Sequence, residues 1–122
     1  MLIKDLKKCE EFLAGDKTVL RELLHPDKIP GVTFRYSLAH ATVKAGESSV
    51  PHTLKTSEVY YILEGEGEMH IENEVANVHA GQTVVIPPNA KQYIRNIGSG
   101  DLKFLCIVDP AWRAEDEVVI TL

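Results

Sequence analysis

The chain has 122 residues, 44% of them apolar and 25% charged, with a formal net charge of −5. This is an ordinary soluble composition sized for one domain with one core. The acidic balance argues against a nucleic-acid surface. No run has the apolar length of a membrane span, and the charged start MLIKDLKKCEEFLAGDK does not read as a secretory signal, so a cytoplasmic protein is expected.

Leu2, Leu6, Cys9 and Leu13 follow a loose helical spacing that Gly15-Asp16 stops, which allows at most a short flanking helix. TVLRELL, from Thr18 to Leu24, fits strand or helix by pattern. His25-Pro26-Asp27 and Pro30-Gly31 read as turns, with His25 a turn residue rather than a ligand. Val32 to Lys44 reads as one strand rich in β-branched and aromatic residues. Short strands follow over Val50 to Leu54, Glu58 to Leu63, Glu68 to Glu72, VANVH, TVVIP, Lys91 to Arg95 and LKFLCIV, separated by Gly, Pro, Asn and Asp turns. Cys9 and Cys106 form no framework, and Cys106 inside FLCIV reads as a small buried hydrophobe. Many short strands without a long helix indicate an all-β sandwich or barrel.

Two stretches stand out. In the first, from Gly46 to Gly65, Gly46 is followed by five residues, then His52-Thr53-Leu54, three residues, Glu58, six residues and Gly65. In the second, from Gly81 to Asn96, Gly81 is followed by five residues, then Pro87-Pro88-Asn89, two residues, Gln92, three residues and Asn96. Together they resemble the two motifs of the cupin superfamily. Leu54 stands where that family has its second His, Asn89 where it has Gly, and Gln92 where it has a further His. The resemblance implies a double-stranded β-helix, the jelly-roll cupin barrel, in a single domain over residues 1–122. A short helical or extended N-terminal segment, residues 1–30, would pack on the barrel, and TVLRELL would then be a strand. It also implies a homodimer, with VVITL pairing to an edge strand of its own chain or of a second copy.

In cupins the motif side chains point inward. The implied metal ligands are therefore His52, Glu58 and Gln92, one imidazole with two oxygen donors. Such an oxygen-rich set suits manganese or magnesium, and the imidazole leaves zinc or nickel open; the divalent ions expected are Mn, Zn or Ni. A carboxylate inside a small barrel is costly unless it is paired or coordinated, which favours a cation beside Glu58. His40, on the preceding strand, is a candidate for a further ligand. His70 and His79 are expected to face solvent. Tyr60 shares the parity of Glu58, so Glu58 and Tyr60 are the catalytic candidates for proton transfer. Arg35 and Arg95 are weaker candidates for holding an anion, and Trp112 is expected at the barrel end or in a dimer contact.

The function implied is a metal-binding cupin acting on a small polar metabolite, a sugar or an organic acid, by Lewis-acid and proton-transfer chemistry. Two other roles stay open: a ligand-binding cupin with a metal-free pocket, and a structural dimer with a vestigial site.

Overall fold

The computed structural model describes residues 1–120. Eleven strands are present among them: β1 (Glu11–Leu13), β2 (Val19–Leu24), β3 (Ser37–Val43), β4 (His52–Leu54), β5 (Ser57–Glu64), β6 (Glu66–Ile71), β7 (Glu74–His79), β8 (Thr83–Ile86), β9 (Gln92–Asn96), β10 (Leu102–Asp109) and β11 (Glu117–Val119). They form two antiparallel sheets, ordered β1-β2-β3-β10-β5-β8 and β11-β4-β9-β6-β7. None of the described helical turns is long and apolar enough to cross a membrane.

Strand alternation builds the interior. Leu102, Phe104, Cys106 and Val108 of β10 are buried, as are Glu58, Tyr60 and Ile62 of β5 and Gln92, Ile94 and Asn96 of β9. Successive side chains of a strand point to opposite faces, so each strand gives one row to the core. Ile62, Ile94, Leu102 and Phe104 are wholly inaccessible. Asn96 holds the end of β9 to two neighbouring segments. Its Nδ2 donates to the Val43 and Gly100 carbonyls at 2.9 and 2.7 Å, and its Oδ1 accepts from the Gly98 amide at 2.9 Å.

The strand expected over Val32 to Lys44 starts later, at Ser37. The β3–β10 ladder ends at Ser37 opposite Val108, and Pro110, just beyond β10, has no N–H with which to extend it. Phe34 and Tyr36 stack on each other instead, with ring centroids 4.8 Å apart. The N-terminal segment keeps only a 3-10 turn, Leu6–Lys8, before β1. So short a segment does not offset the cost of helix nucleation. TVLRELL is strand β2, paired to both β1 and β3. Of the VVITL tail, Val118 and Val119 lie in β11 and pair with β4 of the same chain, while Thr121 and Leu122 lie outside the described residues.

Two motif positions show why their residue types matter. Asn89, at the place of a family glycine, has φ +65°, a region in which Asn is among the best tolerated of non-glycine residues. Gly65 has φ +87°, and a Cβ there would lie 2.5 Å from the Asp101 carbonyl oxygen. Gly65→Ala is therefore expected to lower unfolding free energy by about 2 kcal/mol or more. Gly100→Ala, where a Cβ meets nothing within 4 Å, should be close to neutral. Urea denaturation of the two variants checks this.

Candidate functional site

The site is built around His52. It starts β4, is 3% exposed, and sits in register opposite Gln92 of β9. Its Nδ1 lies 2.8 Å from the Val50 carbonyl oxygen. A carbonyl only accepts, so Nδ1 carries the proton and Nε2 is left to face the cavity. Nε2 lies 3.7 Å from Asp16 Oδ2 and 3.9 Å from Glu117 Oε1.

Neither acid belongs to the two motifs. Asp16 sits in the turn between β1 and β2. Its Oδ1 accepts from the Thr18 amide at 3.1 Å and from Thr18 Oγ1 at 2.7 Å, which leaves Oδ2 for the site. Its own carbonyl accepts from Val50 N at 2.7 Å, so the turn is fastened to the segment that leads into β4. Glu117 opens β11 and pairs in register with Leu54. Burial raises the Glu117 carboxyl, the Asp16 charge raises it further, and His52 and Trp112 pull it back. One donor atom from each of Asp16, His52 and Glu117 lies within 4.8 Å of the others.

A second group occupies the same interior. Tyr60 Oη donates to Gln92 Oε1 at 3.1 Å, and Gln92 Nε2 donates to Glu58 Oε1 at 3.0 Å. Burial pushes Glu58 up from its ordinary 4.5 to about 8. The Gln92 hydrogen bond opposes the rise, while the Asp16 and Glu117 charges add to it. Burial likewise raises Tyr60 well above the usual phenol value.

The expected ligands lie side by side, His52 in register with Gln92 and Gln92 bonded to Glu58, and each also has other neighbours. His52 stands with Asp16 and Glu117. Glu58 and Gln92 join Tyr60 in a hydrogen-bonded chain, where the Gln92 amide oxygen, expected to face an ion, accepts from Tyr60 instead. Glu58, Tyr60, His52 and Leu54 all line one cavity of about 230 Å³ with Asp16 and Glu117. His40 lies elsewhere, in an outer groove with Arg21 and Lys103. His70 is half-buried rather than solvent-facing, because it stacks on Tyr93 and bonds Glu68. Arg95 pairs with Glu68 and Arg35 with Asp109, so neither is turned to the cavity. Trp112 lines the cavity, and its carbonyl meets His25 Nε2 at 2.8 Å. Asp16 and Glu117 carry no motif spacing. The available signals were an Asx turn in GDKT and an acidic residue at the head of a terminal strand.

The donors fit a divalent cation. The Val50 carbonyl fixes the imidazole so that its free nitrogen looks at two carboxylates, the usual arrangement behind a metal-bound His. The fold and this cluster together support a metal cofactor.

Comparison with known proteins agrees with the architecture. The Cupin_2 family, described as a cupin domain, matches residues 39–108. An uncharacterized protein of Methanocaldococcus jannaschii is 41% identical over 114 residues, covering 93% of this chain and 90% of its own. A Cupin 2 conserved barrel domain protein from Salinispora arenicola superposes with a TM-score of 0.77 at 21% identity, over 94% of this chain and 91% of that one. The polyketide cyclase RemF from Streptomyces resistomycificus superposes with a TM-score of 0.82 at 19% identity, over all of this chain and 87% of that one.

The raised Glu58 makes stability depend on pH. An unfolded chain releases this proton near pH 4.5 and the folded chain near about 8. Between these values the folded state holds the extra proton, so stability falls as pH rises through the window. Glu58→Gln keeps an acceptor for Gln92 and removes the titration. Each pKa unit is worth about 1.4 kcal/mol. In chelator-treated protein, the variant should therefore gain on the order of 2 to 4 kcal/mol relative to wild type between pH 5 and 8. Denaturant melts at both pH values give this difference, and an unchanged difference would contradict the assignment.

Proposed function

Because the chain belongs to the Cupin_2 family of cupin domains, we propose that it binds a divalent cation through Asp16, His52 and Glu117 and acts on a small molecule held in the barrel. The observation that carries this reading is the free His52 Nε2 set 3.7 and 3.9 Å from two carboxylate oxygens. When bound, the ion supplies a Lewis acid. One imidazole and two carboxylates make an oxygen-rich set, which favours manganese, with zinc and nickel next.

The chain's own groups supply the proton chemistry. Glu58, pushed up to about 8 when the acidic cluster holds no cation, is the acid or base that faces the cavity. Gln92 positions Glu58 by donating to Oε1, and Tyr60 fixes the Gln92 amide from its other end. Leu54, buried on the same lining, keeps that part of the wall apolar. The chemistry supported is proton transfer on a substrate that carries an oxygen group, of the isomerase or lyase kind.

Manganese titrated calorimetrically into chelator-treated protein should bind stoichiometrically. Asp16→Asn, Glu117→Gln and His52→Ala should each weaken binding by about tenfold or more. Gln92→Leu, which removes an expected ligand of the motif trio, should leave affinity nearly unchanged. Loss of binding in Gln92→Leu, with Asp16→Asn and Glu117→Gln unaffected, would move the ion to His52, Glu58 and Gln92 and overturn this reading.

The outer face of the larger sheet supports a homodimer. Leu38, Ile107, Val59 and Val85 are register partners in one row across β3, β10, β5 and β8. Val85 is 66% exposed and Ile107 38%. An apolar row across four strands is a surface that a second copy would cover. Sedimentation should show a dimer, and Val85→Lys should shift it towards monomer without altering manganese uptake. A wild-type monomer at every concentration tested would refute this.

A further inference from the structure

The cavity beside the acidic cluster has two unlike ends. Asp16, His52 and Glu117 stand at one end. The remaining wall carries Glu58, and Glu22, which is paired with Lys28 at 2.6 Å; otherwise much of it is apolar, with Leu20, Phe104, Val108 and Trp112 on it. Among the described residues no lysine or arginine lines it. Its neutral hydroxyls already hold partners within the protein. Thr18 Oγ1 donates to Asp16 at 2.7 Å, Ser37 Oγ accepts from the Trp112 amide at 2.9 Å, and Tyr60 Oη donates to Gln92 at 3.1 Å. Cys106 is buried on the same wall. Its thiol is held well above the ordinary value, so it stays protonated and behaves as an apolar surface.

We infer that the cavity takes a compact, mostly apolar molecule of about one ring, whose single oxygen-bearing head faces Asp16, His52 and Glu117; this rests on the cation site proposed for those three residues. The space is about 230 Å³, below the roughly 300–1,000 Å³ of drug-sized sites. A sugar of that size would bury several hydroxyls against Leu20, Phe104 and Val108, and each unpaired one costs about 1–3 kcal/mol. A dicarboxylate could place one group at the ion, but the other would meet no cationic side chain and would lie near Glu58. A cyclic ketone or alcohol leaves neither group stranded. Its ring would cover the apolar wall, and its oxygen would point to Asp16, His52 and Glu117, which would hold the ion.

The test uses manganese-loaded protein and four probes: cyclohexanone, xylose, malonate and cyclohexylamine. Trp112 is the only tryptophan and lines the cavity, so its emission reports entry. Calorimetry gives affinity and heat capacity. Cyclohexanone is expected to bind at least about tenfold more tightly than xylose or malonate, with the negative heat-capacity change of apolar burial. Leu20→Gln should weaken cyclohexanone by several-fold and leave manganese uptake unchanged. Should that variant not fold, the wild-type probe ranking decides alone. Tighter binding of xylose or malonate than of cyclohexanone overturns the inference. So does tighter binding of cyclohexylamine, because the carboxylates would then hold the ligand's charge directly. Manganese uptake measured without probes separates the two readings. If it is absent the cation reading falls, while a preference for cyclohexanone in the metal-free protein still supports an apolar occupant.

Discussion

Buried negative charge without a permanent positive partner is the constraint on which this barrel's interior turns. Asp16, Glu58 and Glu117 share one cavity, and among the described residues no lysine or arginine joins them there. An isolated carboxylate away from water is expensive, so each must find a proton, a hydrogen bond or a cation. The protein divides the problem. Glu58 retains its proton to about 8 and takes a hydrogen bond from Gln92. Asp16 commits one oxygen to the Thr18 turn and presents the other, with Glu117, to the free nitrogen of His52.

The Asp16, His52 and Glu117 cluster exists because the β1–β2 turn and β11 are both fastened beside β4. The β1–β2 turn is fastened by Val50 N to the Asp16 carbonyl, and β11 is fastened by its ladder to β4. His52 lies within reach of both. Leu54 and Gln92 replace two imidazoles of the family pattern, and the two terminal segments bring two carboxylates. On the proposed reading the donor set is therefore oxygen-rich rather than nitrogen-rich. Such a change alters which cation is favoured without altering a strand of the fold.

Much of this architecture was legible in the sequence. Gly46, Gly65, Gly81 and Asn96 stand at spacings that constrain turns and caps, and the inward rows of β5, β9 and β10 follow from parity alone. Parity also put Glu58, Tyr60 and Gln92 on inward faces, where they meet. What it could not supply was the partner of each group. Strand alternation says which way a side chain points, but not which donor its oxygen meets. Gln92 turns its amide oxygen to Tyr60, which only the packing of β5 against β9 reveals. Asp16 and Glu117 were out of reach for another reason. They are far from His52 in sequence, on segments that carry no repeated spacing, and only the two terminal closures bring them together. The ends of the predicted strands moved for local causes, as where Pro110 stops the β3 ladder short of Tyr36.

The two groups in the cavity are not independent. The charges of Asp16 and Glu117 are among the causes that raise Glu58. Linkage is reciprocal, so whatever neutralises those two carboxylates makes Glu58 easier to ionise, and an ionised Glu58 in turn strengthens the hold on a cation. On the proposed reading, Glu58 is a reluctant acid in the empty cavity and a readier one when the acidic end is filled. Gln92 and Tyr60 keep its carboxyl in one place through that change, because their hydrogen bonds suit either protonation state of the second oxygen. A proton held weakly only when the cavity is loaded is suited to transfer onto a bound substrate rather than to loss into water. On the same reading a protonated Glu has a use at this buried position. Replacing it with an apolar residue would relieve the burial but remove a group whose charge responds to what the cavity holds.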